Sequence, residues 1–163
     1  MFKSIILLGT NQGKREENLF QARKRISERA GSLVDKSFVY ETAPWGTDSV
    51  NWYLNQVVRV DTHLKPMELL ERLLFIEKEL GRERKGVHFE DRIIDIDILF
   101  YEDMIIDQDN LKIPHPRLHE RKFTLVPLSD LIPEWQHPVL KKTVKELLDE
   151  LDDELDVRRF NRG

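Results

Sequence analysis

Residues 92–100 read Arg92-Ile93-Ile94-Asp95-Ile96-Asp97-Ile98-Leu99-Phe100. From Ile93 to Phe100 the run is apolar and mostly β-branched, broken only by two aspartates, and it reads as a strand. Alternate side chains of a strand share a face. Asp95, Asp97, Leu99 and Tyr101 are therefore expected on one face, and Ile94, Ile96, Ile98 and Phe100 on the other, which reads as core. The two carboxylates would stand roughly 6–7 Å apart, two strand rises. Packing asks for no such pair. A pair of carboxylates on a rigid element suits hard cations bridged by phosphates, because Mg²⁺ is usually held by one or two carboxylates plus phosphate oxygens. Just upstream, Gly81-Arg82-Glu83-Arg84 and Arg92 supply guanidinium groups that suit polyphosphate. The pattern points to metal-assisted phosphoryl-group chemistry.

Working outward, residues 3–8 read as a buried strand that ends in the turn Gly9-Thr10-Asn11-Gln12-Gly13. A helix follows with Leu19, Ala22, Ile26 and Ala30 on one stripe, broken by Gly31-Ser32. Residues 33–42 and 52–62 read as strands, joined by the turn-rich loop Ala43-Pro44-Trp45-Gly46-Thr47-Asp48-Ser49. Pro66 opens a second helix at a favoured first position, with Leu69, Leu73, Ile76 and Leu80 inward and Gly81 as its stop. After the Asp-bearing strand, a hairpin is expected through Glu102-Asp103 into Met104-Ile105-Ile106. Residues 114–122 form a Pro/His/Arg-rich loop, and Phe123-Thr124-Leu125-Val126-Pro127-Leu128 reads as a further extended run. An amphipathic helix is expected over about 141–155. The order β-α-β-β-α-β makes this an α+β chain with a ferredoxin-like core, an antiparallel sheet with helices packed on it and C-terminal additions.

The whole chain supports one domain. Its 163 residues suffice for a real core, and 40% hydrophobic with 34% charged residues describes an ordinary globular protein. No apolar run approaches a membrane span. With no cysteine, disulfides, thiolate nucleophiles and thiolate metal ligands are excluded, and a reducing, cytoplasmic setting fits. The net charge of −4 does not favour nucleic acid or an anionic membrane. Basic residues nonetheless cluster at 82–92 and 112–122, which suits a small anionic ligand.

Other motifs carry less. Gly9-Thr10-Asn11-Gln12-Gly13-Lys14 is one residue short of a Walker A spacing and has Arg15 where Ser or Thr is needed, so it reads as a structural turn. His115 and His119 are four apart, but Pro114 and Pro116 flank His115 and argue against a helical metal pair. Tyr53 and Phe123 fit either core or ligand-facing positions, and Trp45 lies in a loop. An Asp-X-Asp pair also occurs in metal-dependent glycosyltransferases, so another such transferase remains an alternative. So does a non-catalytic ferredoxin-like ligand-binding module.

Six segments occur together in an order that resembles one family: Leu8-Gly9-Thr10-Asn11, Glu41 to Gly46, Tyr53-Leu54-Asn55, Ile76 to Arg82, Arg92 to Asp97, and Ile113 to Phe123. From about residue 3 to residue 135 the chain is similar to 6-hydroxymethyl-7,8-dihydropterin pyrophosphokinases, which transfer diphosphate from ATP to a pterin alcohol in folate biosynthesis. The resemblance implies that Asp95 and Asp97 hold two Mg²⁺ ions bridging ATP and the substrate hydroxyl. It implies that Arg82, Arg84 and Arg92 neutralise phosphate charge, and that Ile98, His115 and Arg121 contact ATP. Tyr53 and Phe123 would sandwich the pterin, while Asn55, Thr42, Ala43 and Trp45 would surround its polar edge. ATP and the pterin are then the partners, with no nucleic acid and no membrane, and the chain is expected as a monomer or at most a weak homodimer. Where many relatives have Trp-Gly-Pro-Arg, this chain has Phe89-Glu90-Asp91-Arg92. Thr10 replaces a usual serine, and Leu74 and Asn110 stand where some relatives place polar or basic ATP contacts.

Overall fold

The computed structural model describes residues 1–43, 52–82 (Arg82 by its backbone) and 93–160. At its centre is β1 (Phe2–Thr10), buried from Ser4 to Thr10. Such a continuous apolar run belongs to a strand covered on both faces. One edge of β1 pairs antiparallel with β4 (Tyr53–Thr62) and the other with β5 (Asp95–Tyr101). Beyond β4 lie two short strands, β2 (Ser32–Lys36) and β3 (Tyr40–Thr42), each paired with a different half of β4. The stretch expected as one strand over 33–42 is thus two, parted where the Ser37 hydroxyl accepts a hydrogen bond from the Val57 N–H (3.0 Å). The sheet order is β5-β1-β4-β3-β8, with β8 (Val157–Arg159) added antiparallel to β3.

Helices α1 (Arg15–Arg29) and α2 (Pro66–Arg82) cover one face. Their stripes, Leu19, Ala22 and Ile26 with Leu69, Leu73 and Ile76, pack against Ile6, Leu8, Val58 and Ile96. Each fully buried Leu, Ile or Val among them is worth about 1.5–3 kcal/mol. Gly81 lies inside α2 and does not stop it. The orphan carbonyls at the end of α1 are met: Ile26 accepts from Ala30 and Gly31, and Ala30 accepts from the Thr62 hydroxyl at 2.6 Å.

On the second face, Ile5, Leu7, Val57, Leu99 and Phe100 meet α3 (Lys122–Leu131) and α4 (Val144–Glu150). The run 123–128 is therefore helical, not extended. A six-residue apolar stretch carries too little periodicity to tell the two apart, and burial of Leu125 and Leu128 against the sheet holds the helix despite Pro127. Helix α4 begins at a capping box, Thr143 with Glu146, and ends at Glu150, well short of the expected 155.

Two further expectations are corrected. The register of β1 with β5 slips between Ile5 and Ile6, so Leu99 is an extra residue on β5. This bulge sends Phe100 to the α3/α4 face and Tyr101 to the α1/α2 face, the reverse of strict alternation. Past the turn at Glu102-Asp103, residues 104–105 do not pair with β5; the hairpin is β6 (Ile106–Gln108) with β7 (Leu111–Ile113).

Glycine is required at one connection. A Cβ on Gly31 would lie 2.4 Å from the Asp61 carbonyl oxygen and 3.0 Å from Val60 Cγ1. Gly31→Ala is expected to destabilise the fold by about 1–3 kcal/mol through overpacking, read from urea midpoints; an unchanged midpoint would refute this close approach.

Candidate active site

The register of β5, β1 and β4 builds the site floor. Gly9 is paired with Asp95 on one side and Asn55 on the other, and Leu7 with Asp97 and Val57. Directly paired residues share a face, so Asp95, Asp97, Gly9, Leu7 and Asn55 all look toward the α3/α4 side. Tyr53 joins them two residues before Asn55, and Thr42 through its pairing with Tyr53. Gly9 leaves the middle of this floor bare: a Cβ there would stand 3.0 Å from Asn55 Oδ1.

Above the floor opens a cavity of about 660 Å³. Of the residues expected at a site, Thr42, Ala43, Tyr53, Asn55, Asp95, Asp97, Arg121 and Phe123 line it. The remaining described lining residues are Leu7, Gly9, Asn11, Arg117, Glu120, Asp153 and Leu155. Asp153 and Leu155 were hidden by the helix expected over 141–155. Strand-period alternation in Leu151, Asp153, Leu155 and Val157, half-buried between exposed acids, is the signal that could have found them. Trp45, Arg84, Arg92 and the Arg82 side chain lie outside the described residues.

Two expected ATP contacts stand apart from the cavity lining. Ile98 is 5% exposed and packs in the α1/α2 core, on the opposite side of the sheet. His115 is half-buried, and its Nδ1 accepts the Arg117 backbone N–H at 3.2 Å. Burial, with Arg121 and Arg117 nearby, holds its pKa down to about 4, so the ring is neutral at pH 7.

The site is braced from behind. The Thr10 hydroxyl donates to the Ile93 carbonyl at 2.6 Å and accepts from Asn18 Nδ2 at 3.0 Å, tying the start of β5 to β1 and α1. The Ile96 N–H, on the outer edge of the sheet, donates to Glu77 Oε2 of α2 at 2.8 Å. Asn55 Nδ2 donates to the Thr42 hydroxyl at 3.3 Å, and both residues are buried. Between β3 and α3, the Tyr40 hydroxyl donates to both oxygens of Asp130 (3.0 and 2.8 Å), pinning α3 over the sheet. The Arg121 guanidinium lies over the Phe123 ring, 5.5 Å from its centroid. Burial and then the charge of Asp95 raise the Tyr53 pKa, so its hydroxyl keeps its proton.

The described lining carries four carboxylates, Asp95, Asp97, Glu120 and Asp153, against two guanidinium groups. Carboxylates so gathered attract divalent cations. Among the described residues no group of three or more His, Asp and Glu gathers as a metal cage. Two hard carboxylates on one strand face, with other ligands left to phosphate and water, fit a divalent ion of the Mg²⁺ type.

Comparison with known proteins decides the family. A family model described as 7,8-dihydro-6-hydroxymethylpterin-pyrophosphokinase matches residues 5–133. The chain belongs to this family. A 2-amino-4-hydroxy-6-hydroxymethyldihydropteridine pyrophosphokinase of Porphyromonas gingivalis is 42% identical over 134 residues, 80% of this chain and 90% of that protein. The enzyme of the same name from Methylorubrum extorquens is 38% identical over 153 residues, 93% and 95% of the two chains. A folate synthesis bifunctional protein of Arabidopsis thaliana shares 43% identity over 128 residues, 78% of this chain but 26% of that longer one. The fold is similar to a crystal structure of Plasmodium falciparum HPPK-DHPS, with a TM-score of 0.73 at 20% identity over 92% of this chain and 43% of the other. The chain is thus a pyrophosphokinase of folate biosynthesis.

The depressed pKa of His115 has a consequence for stability. The unfolded imidazole titrates near 6.5 and the folded one near 4. Between these values the unfolded chain binds more protons, so stability falls as pH drops from about 6.5 to about 4. His115→Asn, whose Oδ1 can still accept the Arg117 N–H, is expected to lose less stability over that window. Urea midpoints at pH 7 and pH 5 check this, and equal losses in parent and variant would contradict it.

Proposed function

We propose that this chain transfers the diphosphate of ATP to the hydroxymethyl group of 6-hydroxymethyl-7,8-dihydropterin, giving AMP and the pterin diphosphate. The observation that carries the reading is the cross-strand row Asp95–Gly9–Asn55, which sets a carboxylate and a buried amide on one sheet face with a bare glycine between, while Asp97, paired with Leu7, adds a second carboxylate to that face. A flat heterocycle can lie over Gly9 with its donor/acceptor edge at Asn55, beside Thr42 and Ala43. Tyr53 and Phe123 would stack on its two faces, worth about 0.5–1.5 kcal/mol beyond area burial. A mismatched ring would leave polar groups of its own buried edge unpaired, which is the costly error that gives selectivity.

The hydroxymethyl group of a ring so placed would point along the floor toward Asp95 and Asp97. These two carboxylates would hold two Mg²⁺ ions. When bound, such ions neutralise phosphate charge and activate the attacking hydroxyl. Arg121 would bind the phosphates from the α3 side, joined by Arg82, Arg84 and Arg92. Phosphoryl-group transfer is mostly positioning and electrostatic stabilisation, so no protein nucleophile is required. A neutral His115 would serve phosphate as a hydrogen-bond donor, not as a charge. Burial of the Ile98 side chain leaves that position its main chain for ATP.

The strand order β5-β1-β4, with β2 and β3 beyond, supports reading β1 to β5 as a ferredoxin-like split βαβ unit within a single 1–163 domain. We read the chain as cytoplasmic, and as a monomer or at most a weak homodimer. Among the described residues no helix is long and apolar enough to cross a membrane.

Incubated with ATP, Mg²⁺ and the pterin, the chain is expected to release AMP one-for-one with pterin diphosphate. ADP as the product would overturn the assignment. Asp95→Ala and Asp97→Ala should each lower kcat/KM by about 10³-fold or more, since several kcal/mol of charge stabilisation would be lost. Gly9→Ala, which crowds Asn55, should weaken pterin binding about tenfold (about 1.4 kcal/mol) with Mg-ATP binding intact. Titration calorimetry of each ligand separates the two, and equal pterin affinity would remove Gly9 from the floor of the pocket.

A further inference from the structure

The family match ends at residue 133, yet part of the cavity wall comes from beyond it. The segment 151–156 runs extended across the site, from the end of α4 to β8. Its inward positions are Leu151, Asp153 and Leu155, each half-buried, while Asp152, Glu154 and Asp156 face solvent. Asp153 is the one inward position in this strap that is not apolar. Its carboxylate is used at both ends: Oδ1 accepts the Leu155 N–H at 2.9 Å, and Oδ2 accepts the Lys122 N–H at 3.3 Å.

Lys122 is the first residue of α3, and the residue before it, Arg121, offers no side-chain cap. The Asp153 carboxylate thus fills the place of a missing cap at a ten-residue helix, where a negative charge is favoured by the helix dipole. The helix start it fixes carries Arg121 and Phe123 into the cavity. At its other end the strap is fastened to the opposite wall. The Ala43 N–H donates to the Asp156 carbonyl at 3.4 Å, and Val157 is paired with Thr42. One carboxylate therefore sets the α3 wall against the Thr42–Ala43 wall.

We propose that Asp153 is a positioning residue for the pyrophosphokinase reaction, a reading that rests on the function proposed above. It sets the width of the pterin slot by tying the start of α3 to the strap, and it acts through Arg121 and Phe123.

The test compares Asp153→Ala, the isosteric Asp153→Asn, and Asp152→Asn as a solvent-facing control, in the full chain. KM for the pterin and kcat are measured beside amide hydrogen exchange at Lys122 and Leu155. Asp153→Ala should raise KM for the pterin about tenfold, the size of one lost charge-assisted cap. It should change kcat less than about threefold and speed exchange at both amides. Asp153→Asn, which keeps one acceptor oxygen and the side-chain shape, should recover part of both effects; Asp152→Asn should alter neither. A higher KM with both amides still protected would overturn the proposal in favour of direct substrate contact. An unchanged KM, or the same rise in Asp152→Asn, would overturn it as well. If the parent chain forms no AMP, the reaction reading fails, while the exchange data still decide whether Asp153 joins α3 to the strap.

Discussion

Everything in this protein depends on β1 being paired on both edges and covered on both faces. A strand in that position can spare no polar side chain without a partner, and Ile5, Ile6, Leu7 and Leu8 meet the demand with aliphatic groups. Near its C-terminal end Gly9 carries no side chain and borders the cavity. The same backbone pairing that rigidifies the core thereby delivers Asp95, Asp97 and Asn55 to fixed positions around a bare patch of main chain. A site on paired strands is held more firmly than one on loops, and transfer between two bound substrates depends on such placement.

The two helical layers do different work. The α1/α2 layer is a packed core whose polar groups are spent on bracing: Asn18 on the Thr10 turn, Glu77 on the open edge of β5. The α3/α4 layer covers only part of its face and leaves the cavity beside it. Tyr40 illustrates the division, since its hydroxyl crosses from the sheet to Asp130 of α3 and fixes the height of that layer. Burial and the Asp130 carboxylate push its pKa up to about 12, so this tie holds at every physiological pH.

Charge is arranged to match. The described cavity wall carries four carboxylates against two guanidinium groups, and carboxylates of this kind are ligands for hard divalent cations. The strap 151–156 adds to this wall and is itself anchored beyond the site. Arg158 bonds Glu41 at 3.2 Å and lies 4.3 Å over Trp52, while Arg15 bonds the same Glu41 at 3.0 Å. Strand β8 thus closes the edge of β3, which would otherwise present unpaired main chain to solvent.

The sequence alone determined the helices α1 and α2, whose apolar stripes name both structure and buried side, β1, whose unbroken apolar run names a strand covered on both faces, and the strand bearing Asp95 and Asp97 as far as Ile98. Motif order, not periodicity, also singled out Tyr53, Asn55 and Phe123, which line the cavity. Tertiary structure decided what local period could not. Residues 123–128 are helical because the second face of the sheet needed cover, and the apolar pattern alone fits a strand as well. Phe100 and Tyr101 exchanged faces because one bulge, set by pairing with β1, shifts every side chain after it. The strap is extended because β3 offered an open edge about 115 residues away in sequence. Its acid-rich pattern fits an amphipathic helix as well as a strand-period alternation, and the local sequence does not choose. Pairing across that distance is a property of the assembled sheet, and no window of neighbouring residues contains it.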